Sequence, residues 1–466
     1  MEFAFSYYIV SFIASLISPF WGFVGFMCSL LLRFQDHYPQ INSIKPFTLL
    51  LVGMILSCII HKDKLSKIVW KQDKLVLSIF LISIFGLLIM SPGNLAHETY
   101  LFICSIAIYF FSSRILQTPT QILWLFFSLA TCVAYLGNLA IVDIALLPDT
   151  TMYIDHATGR WQGVGYYANS NEFGQLMITT IPFLLAAILI RKSIFLSIAS
   201  MALISIMIFV MIKTESRTVM VTLALMFVGT FMLRGGGNIA KKAIIGGVMT
   251  VVMLVALTFM PGPTQERMST VLDAGNDESF QGRTRSWDHG FAMLSWYPIT
   301  GVGKGQWIEY HGLMPHNSYV QVMAELGVFG IWIFLWILLL SLKQFSPVLS
   351  HPTDSPRGPP VTNNENDEIY TYIDSSDVFM NISDEKISDS KQTESSSQYF
   401  NNTEKTVAIA TLVTFCGWLL YVFLGNQGYS VWMYFYIGLC AALANFMPLQ
   451  SQKPALQADY LLDNDL

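Results

Sequence analysis

The chain has 466 residues, of which 53% are apolar and only 12% charged. Charged residues make up about a quarter of a typical soluble domain, so this composition excludes one. The net charge of −5 sums over two faces of a membrane and discriminates little. Apolar runs at 49–60, 75–90 and 194–212 match the roughly 20 residues that a bilayer asks of a helix, and a β-barrel would show short alternating segments instead.

In chain order these runs predict an all-α polytopic membrane protein of about twelve helices. They fall near residues 6–31, 45–60, 75–91, 99–112, 121–147, 173–190, 193–212, 217–233, 243–260, 317–342, 405–424 and 430–447. The first lacks a basic leader and a small-residue cleavage site, so it is read as a retained span, long enough to be two short helices broken near Pro19. Lys and Arg gather on the cytoplasmic side of short loops. Alternating twelve spans puts Lys62, Lys64, Lys67, Lys71 and Lys74, then Arg191 and Lys192, then Arg234, Lys241 and Lys242 on that one side, together with both termini. Segments 148–172, 213–217 and 261–315 then face outward. The resulting organisation is nine helices within 1–260, a large outward loop at 261–316 and a tenth helix at 317–342. A Ser-, Asp-, Asn- and Glu-rich insertion at 343–404 reads as disordered, followed by two helices in 405–447 and a cytoplasmic tail at 448–466. Cys28, Cys58, Cys104, Cys132, Cys416 and Cys440 all fall in predicted spans and read as small core hydrophobes.

Chemistry-bearing residues collect on the outward side. Arg217 stands at the outer end of a span in Thr214-Glu215-Ser216-Arg217, and Arg283 and Arg285 follow Gly282 just before Trp287. Each alone could be an interfacial or solvated cation. Together, guanidinium groups on one face can grip a diphosphate through bidentate bonds. His316, in Pro315-His316-Asn317-Ser318, precedes the tenth span. An imidazole there suits proton removal from a hydroxyl. Asn317 or Ser318 can cap the helix, whose first N–H groups could face an anion. Asn317, Gln321 and Glu325 recur every four residues on one face. A carboxylate that deep needs a cavity or a partner, so this row is either a buried hydrogen-bond network or part of a site. Gly327 and Gly330 would let another helix pack closely. Gly301-Val302-Gly303-Lys304-Gly305 lacks the spacing of a nucleotide loop and reads as a glycine turn. The sequence carries no metal-ligand motif, and neither a metal nor a cofactor is expected.

The series Arg283, Trp287, Pro298, Gly301-Val302-Gly303, His316-Asn317 and Gly327-x-x-Gly330 resembles the O-antigen ligase and Wzy-type polymerase superfamily. Ser216-Arg217 and the segment Tyr166-Tyr167-Ala168-Asn169-Ser170-Asn171-Glu172 match further landmarks. The resemblance spans roughly 163–330, and the long insertion departs from the family pattern. It implies a GT-C-like fold with a large periplasmic loop, in a bacterial inner membrane. It further implies transfer of a glycan from undecaprenyl diphosphate, without metal, to lipid A–core, another glycan or a protein hydroxyl. Arg217 and Arg283, or Arg285, would hold the diphosphate, His316 would activate the acceptor, and Asn171, Asn317, Gln321 and Glu325 would line the substrate. Nucleic acid is not an expected partner. A lipid-linked glycan transporter or flippase is the rival from another class; such proteins commonly show related halves and broken helices near the midplane, whereas no internal repeat is evident here and the polar signal is concentrated at one outer face.

Overall fold

The computed structural model describes residues 2–67, 71–147, 149–190, 193–234, 278–350, 402–423, 425 and 428–446. Among these residues seven helices are long and apolar enough to cross a membrane, and four shorter apolar helices accompany them. The only sheet among them is a two-residue pairing of β1 (Ile154–Asp155) with β2 (Arg160–Trp161). The protein is therefore all-α and polytopic. The predicted span at 243–260, most of the insertion at 343–404 and the tail at 448–466 lie outside the described residues.

The helices begin where local chemistry starts them. α1 (Glu2–Ile17) and α2 (Pro19–Leu32) are separated by an extended Ser18, with Pro19 at the first helical position, where a missing N–H costs nothing. α3 (Pro46–Ile60), α4 (Lys71–Met90) and α5 (Leu95–Ile115) follow. α6 (Pro119–Leu146) opens with a Thr118/Gln121 capping box. α7 (Ser170–Ile178) and α8 (Ile181–Ile190) share one path with a break at Thr179 and Thr180. Pro182, just beyond, has no N–H to return to the Ile178 carbonyl. α9 (Ile194–Lys213), α10 (Arg217–Arg234), α11 (Glu278–Trp296), α12 (Ser318–Lys343), α13 (Asn402–Phe423) and α14 (Val431–Ala442) complete the set.

Bonds between helix ends define two faces. On one, Gln72 donates to Ser341 Oγ and Ser66 Oγ to Asn445, both at 2.6 Å, while Arg114 pairs with Asp73. Lys62 and Lys64 lie in this same 61–67 segment. On the other, Lys304 pairs with Glu98, Ser91 Oγ donates to Gln306 at 3.0 Å, and Trp287 meets the Phe423 ring at 5.8 Å. This second face carries the candidate site.

Three expectations change. The first apolar run doubles back: Tyr7 Oη donates to the Gly25 carbonyl at 2.7 Å and Phe3 meets Phe34 at 5.9 Å. The amino terminus thus lies on the site face, across from the lysine-bearing face assigned by counting single spans. The outward segment at 261–315 is not all loop, because α11 occupies Glu278–Trp296. Cys28, Cys104 and Cys440 are buried, but Cys416 is exposed on the side of α13.

Candidate functional site

The site rests on a helix that is broken inside. Gly327 of α12 has φ 69 and ψ −167, a conformation that needs glycine. The break frees backbone groups that lipid could not satisfy, and the turn at 298–305 satisfies them. Val302 and Gly303 N–H donate to the Ala324 and Glu325 carbonyls at 3.0 and 3.1 Å, and Val328 N–H donates to the Pro298 carbonyl at 2.9 Å. A Cβ on Gly327 would come within 2.6 Å of the Pro298 and Ile299 oxygens, and one on Gly301 within 2.3 Å of Glu325 backbone. The glycine expected to admit a neighbouring helix instead admits this turn.

Glu325 is fully buried. Its Oε2 accepts from Gly305 N–H at 3.0 Å and its Oε1 from Trp307 N–H at 3.3 Å, so its carboxylate clamps the far end of the same turn. Lys304, in that turn, is buried against Glu98 and lies 5.6 and 5.2 Å from the Phe102 and Tyr429 ring centres. Gln321 is also buried, one helical turn above Glu325. In the row Asn317–Gln321–Glu325, the first and last bond backbone N–H groups, while the buried Gln321 Oε1 has no hydrogen-bond partner.

His316 sits where this scaffold meets the surface. Its backbone has φ 48, a left-handed conformation costing roughly 1–2 kcal/mol for a side chain that is not glycine. Both neighbours hold it there. The Trp287 indole donates to the Pro315 carbonyl at 2.8 Å, and Asn317 Oδ1 accepts from Tyr319 and Val320 N–H at 2.9 and 3.1 Å. Asn317 is therefore the cap of α12, and the N–H groups expected to be open to an anion are occupied by its amide oxygen. His316 is an exposed residue. Partial desolvation, and then the Arg283 guanidinium, hold its pKa below the ordinary value.

Arg283 lies one helical turn before Trp287 on α11, on the face turned to Pro315 and His316. Arg285 is two residues on, about 200° around the helix. It is exposed, with its Nε donating to the Gln281 carbonyl at 3.3 Å. The two arginines thus point apart. On a third side of α11, Ser286 Oγ and His311 Nε2 lie 3.3 Å apart and His311 stacks on His289 at 4.0 Å. Desolvation and then the His289 ring lower the His311 pKa. Among the described residues no three His, Cys, Asp or Glu side chains come together as metal ligands.

Arg217 opens α10 and is half-buried. The turn before it is fastened from outside. Ser216 Oγ donates to Asn171 Oδ1 at 2.7 Å, Arg160 Nη2 donates to the same oxygen at 3.1 Å, and Arg160 Nε donates to the Thr214 carbonyl at 2.9 Å. Asn171, expected at the substrate, here ties the start of α7 to the start of α10. Arg160 is absent from the residues singled out in the sequence, although it obeys the rule that marked Arg217: an arginine in a predicted outward segment. Tyr421 of α13 lines one cavity with Glu172 and Tyr166, and Phe423, two residues on, meets Trp287 of α11 at 5.8 Å. Arg217, Asn171, Arg283 and His316 thus share one face, with Arg285 turned away and Asn317, Gln321 and Glu325 beneath.

Residues 202–335 match the family model described as O-antigen ligase. Over that segment, under a third of its length, the chain is similar to the O-antigen ligase family. Its matched segment contains Arg217, Arg283, Arg285, His316 and the Gly327 break, but not Asn171 or Arg160. The chain is also 23% identical over 249 residues to the "Exopolysaccharide production protein ExoQ" of Rhizobium meliloti (strain 1021), a match taking in 47% of this chain. It spans about half of that curated relative, 55% of its length.

Proposed function

We propose that the chain is a periplasmic-face glycosyltransferase of a bacterial inner membrane, moving a glycan from undecaprenyl diphosphate to an acceptor hydroxyl. His316 takes the proton as the acceptor oxygen attacks the anomeric carbon. The bond from that carbon to the diphosphate oxygen breaks with inversion, and the departing diphosphate keeps the electron pair. Arg217 and Arg283 neutralise the charge as it develops. The observation that carries this reading is the fastening of the His316 segment to α11, where the Trp287 indole donates to the Pro315 carbonyl at 2.8 Å one turn from Arg283. Desolvation, and then Arg283, disfavour protonated His316, as a base awaiting a proton requires.

Lipid A–core is the acceptor favoured by the resemblance to the ligases. Extension of an exopolysaccharide is the second reading, favoured by the similarity to the exopolysaccharide production protein. The test is product formation by purified protein in detergent from a polyprenyl-diphosphate glycan and each acceptor. Wild type should transfer, whereas His316→Ala should lose roughly 10²–10⁴-fold at unchanged membrane abundance. Undiminished transfer by that variant would remove His316 from the chemistry, and no transfer by wild type without compartments would favour a transporter.

A further inference from the structure

Beside the site, the break between α7 and α8 opens a small cavity of about 50 Å³ with an open mouth, which no step of the proposed transfer uses. Its lining is mixed in a particular way. Trp418, Tyr421 and Trp432 supply aromatic walls, Tyr166 stands at the mouth, and Glu172 and Gln175 project from successive turns of α7. Gln175 is 5% exposed, and neither its Nε2 nor its Oε1 has a hydrogen-bond partner. A buried amide with two donors and an acceptor all unmet is costly. The polar face of α7 is therefore arranged for something that enters the cavity.

We infer that this cavity is a subsite for the sugar joined directly to the diphosphate of the lipid-linked donor. The inference rests on the proposed function and names the part of the donor held there. Tyr421 lines the cavity, and Phe423, two residues on, meets the ring of Trp287 at 5.8 Å, one turn from Arg283, so a ring attached to a diphosphate at Arg283 is adjacent to the opening. A pyranose has a C–H face to lay on an aromatic ring and a rim of hydroxyl or acetamido groups to bond an amide and a carboxylate. Few polar groups converging in a mostly apolar pocket is the usual form of a small-molecule site. A polyprenyl chain fits the walls but leaves Gln175 unmet, so the lipid tail is the poorer occupant. Holding this sugar would also fix its anomeric carbon relative to His316.

The test measures binding of two probes to purified protein in detergent: bare farnesyl diphosphate, and farnesyl diphosphate carrying one N-acetylhexosamine. Wild type should bind the sugar-bearing probe about tenfold more tightly. Gln175→Leu should bind the bare probe like wild type and lose most of that preference. It removes an unmet amide, so its melting temperature should hold or rise, which separates lost recognition from misfolding. Trp432→Leu, read the same way, covers the case in which the first variant does not fold. Equal binding of both probes by wild type, with the bare one bound, would overturn the subsite and leave the proposed function standing. A preference that survives in a folded Gln175→Leu would overturn it too, making the amide a hydrated bystander. Binding of neither probe would overturn the proposed function itself, and the subsite with it.

Discussion

His316 is held between competing demands at the scale of single atoms. In the proposed transfer it must be near enough to Arg283 to share a diphosphate, yet neutral when the acceptor arrives. Burial and the cation both lower its pKa, so the neutral base persists to a lower pH than a free imidazole of about 6.5 would allow. The acid limb of a single-turnover rate profile should therefore lie below that value. Arg283→Gln deletes one of the two causes, so whatever activity remains should show its limb moved to higher pH. A limb that stays put would mean that another group titrates. Arg160 offers a second test. Its two bonds set the turn ahead of Arg217, and Arg160→Ala should raise the donor KM about tenfold, worth 1.4 kcal/mol, while largely sparing kcat. A lower melting temperature with an unchanged KM would reduce Arg160 to a fastener of the fold.

Between residues, the decisive element is α12 and the turn that fills its break. Glu325→Gln keeps the shape of the clamp but points an amide N–H₂ at a backbone N–H. Leaving that donor unmet should cost about 1–3 kcal/mol of stability. Because Glu325 is sealed beneath the turn, the folded fraction should keep its turnover and KM in thermal-shift and transfer assays run together. Retained stability with lost turnover would instead place the carboxylate in the chemistry. This element also marks how far the sequence could be read. Hydropathy located residues 317–342 as a helix and the spacing of Asn317, Gln321 and Glu325 as one face, because both depend on local periodicity. The break at Gly327 was not legible, since a glycine that lets a helix approach and one that adopts positive φ are the same letter. α11 was missed because its apolar residues are few and its charges read as loop. His316, Arg217 and Arg283 stood out as polar residues in an apolar chain, whereas Arg160 and the capping duty of Asn317 depend on contacts between distant segments.

For the whole molecule, the course of the first apolar run decides where the chain begins. One uninterrupted helix would put the amino terminus on the face of Lys62 and Lys64. The Ser18-Pro19 break folds it into an antiparallel pair, with Ser15 against Gly22 and Ser11 against Gly25, and returns the amino terminus to the face of the site. Single cysteines introduced for Glu2, Gly312 and Lys64, all exposed positions, distinguish the two arrangements in a background lacking the native cysteines. In spheroplasts with the site facing the periplasm, a membrane-impermeant maleimide should label Glu2→Cys and Gly312→Cys directly. Lys64→Cys should react only after permeabilisation. If Glu2→Cys followed Lys64→Cys instead, the run would cross once, and the pairing of α1 with α2 would have to be abandoned. The same experiment reads out the orientation on which the glycan transfer depends. A diphosphate anchored by its lipid tail meets His316 from the outer leaflet only if residue 312 faces the periplasm, so protection of Gly312→Cys would reverse the proposed sidedness even with every distance within the site unchanged.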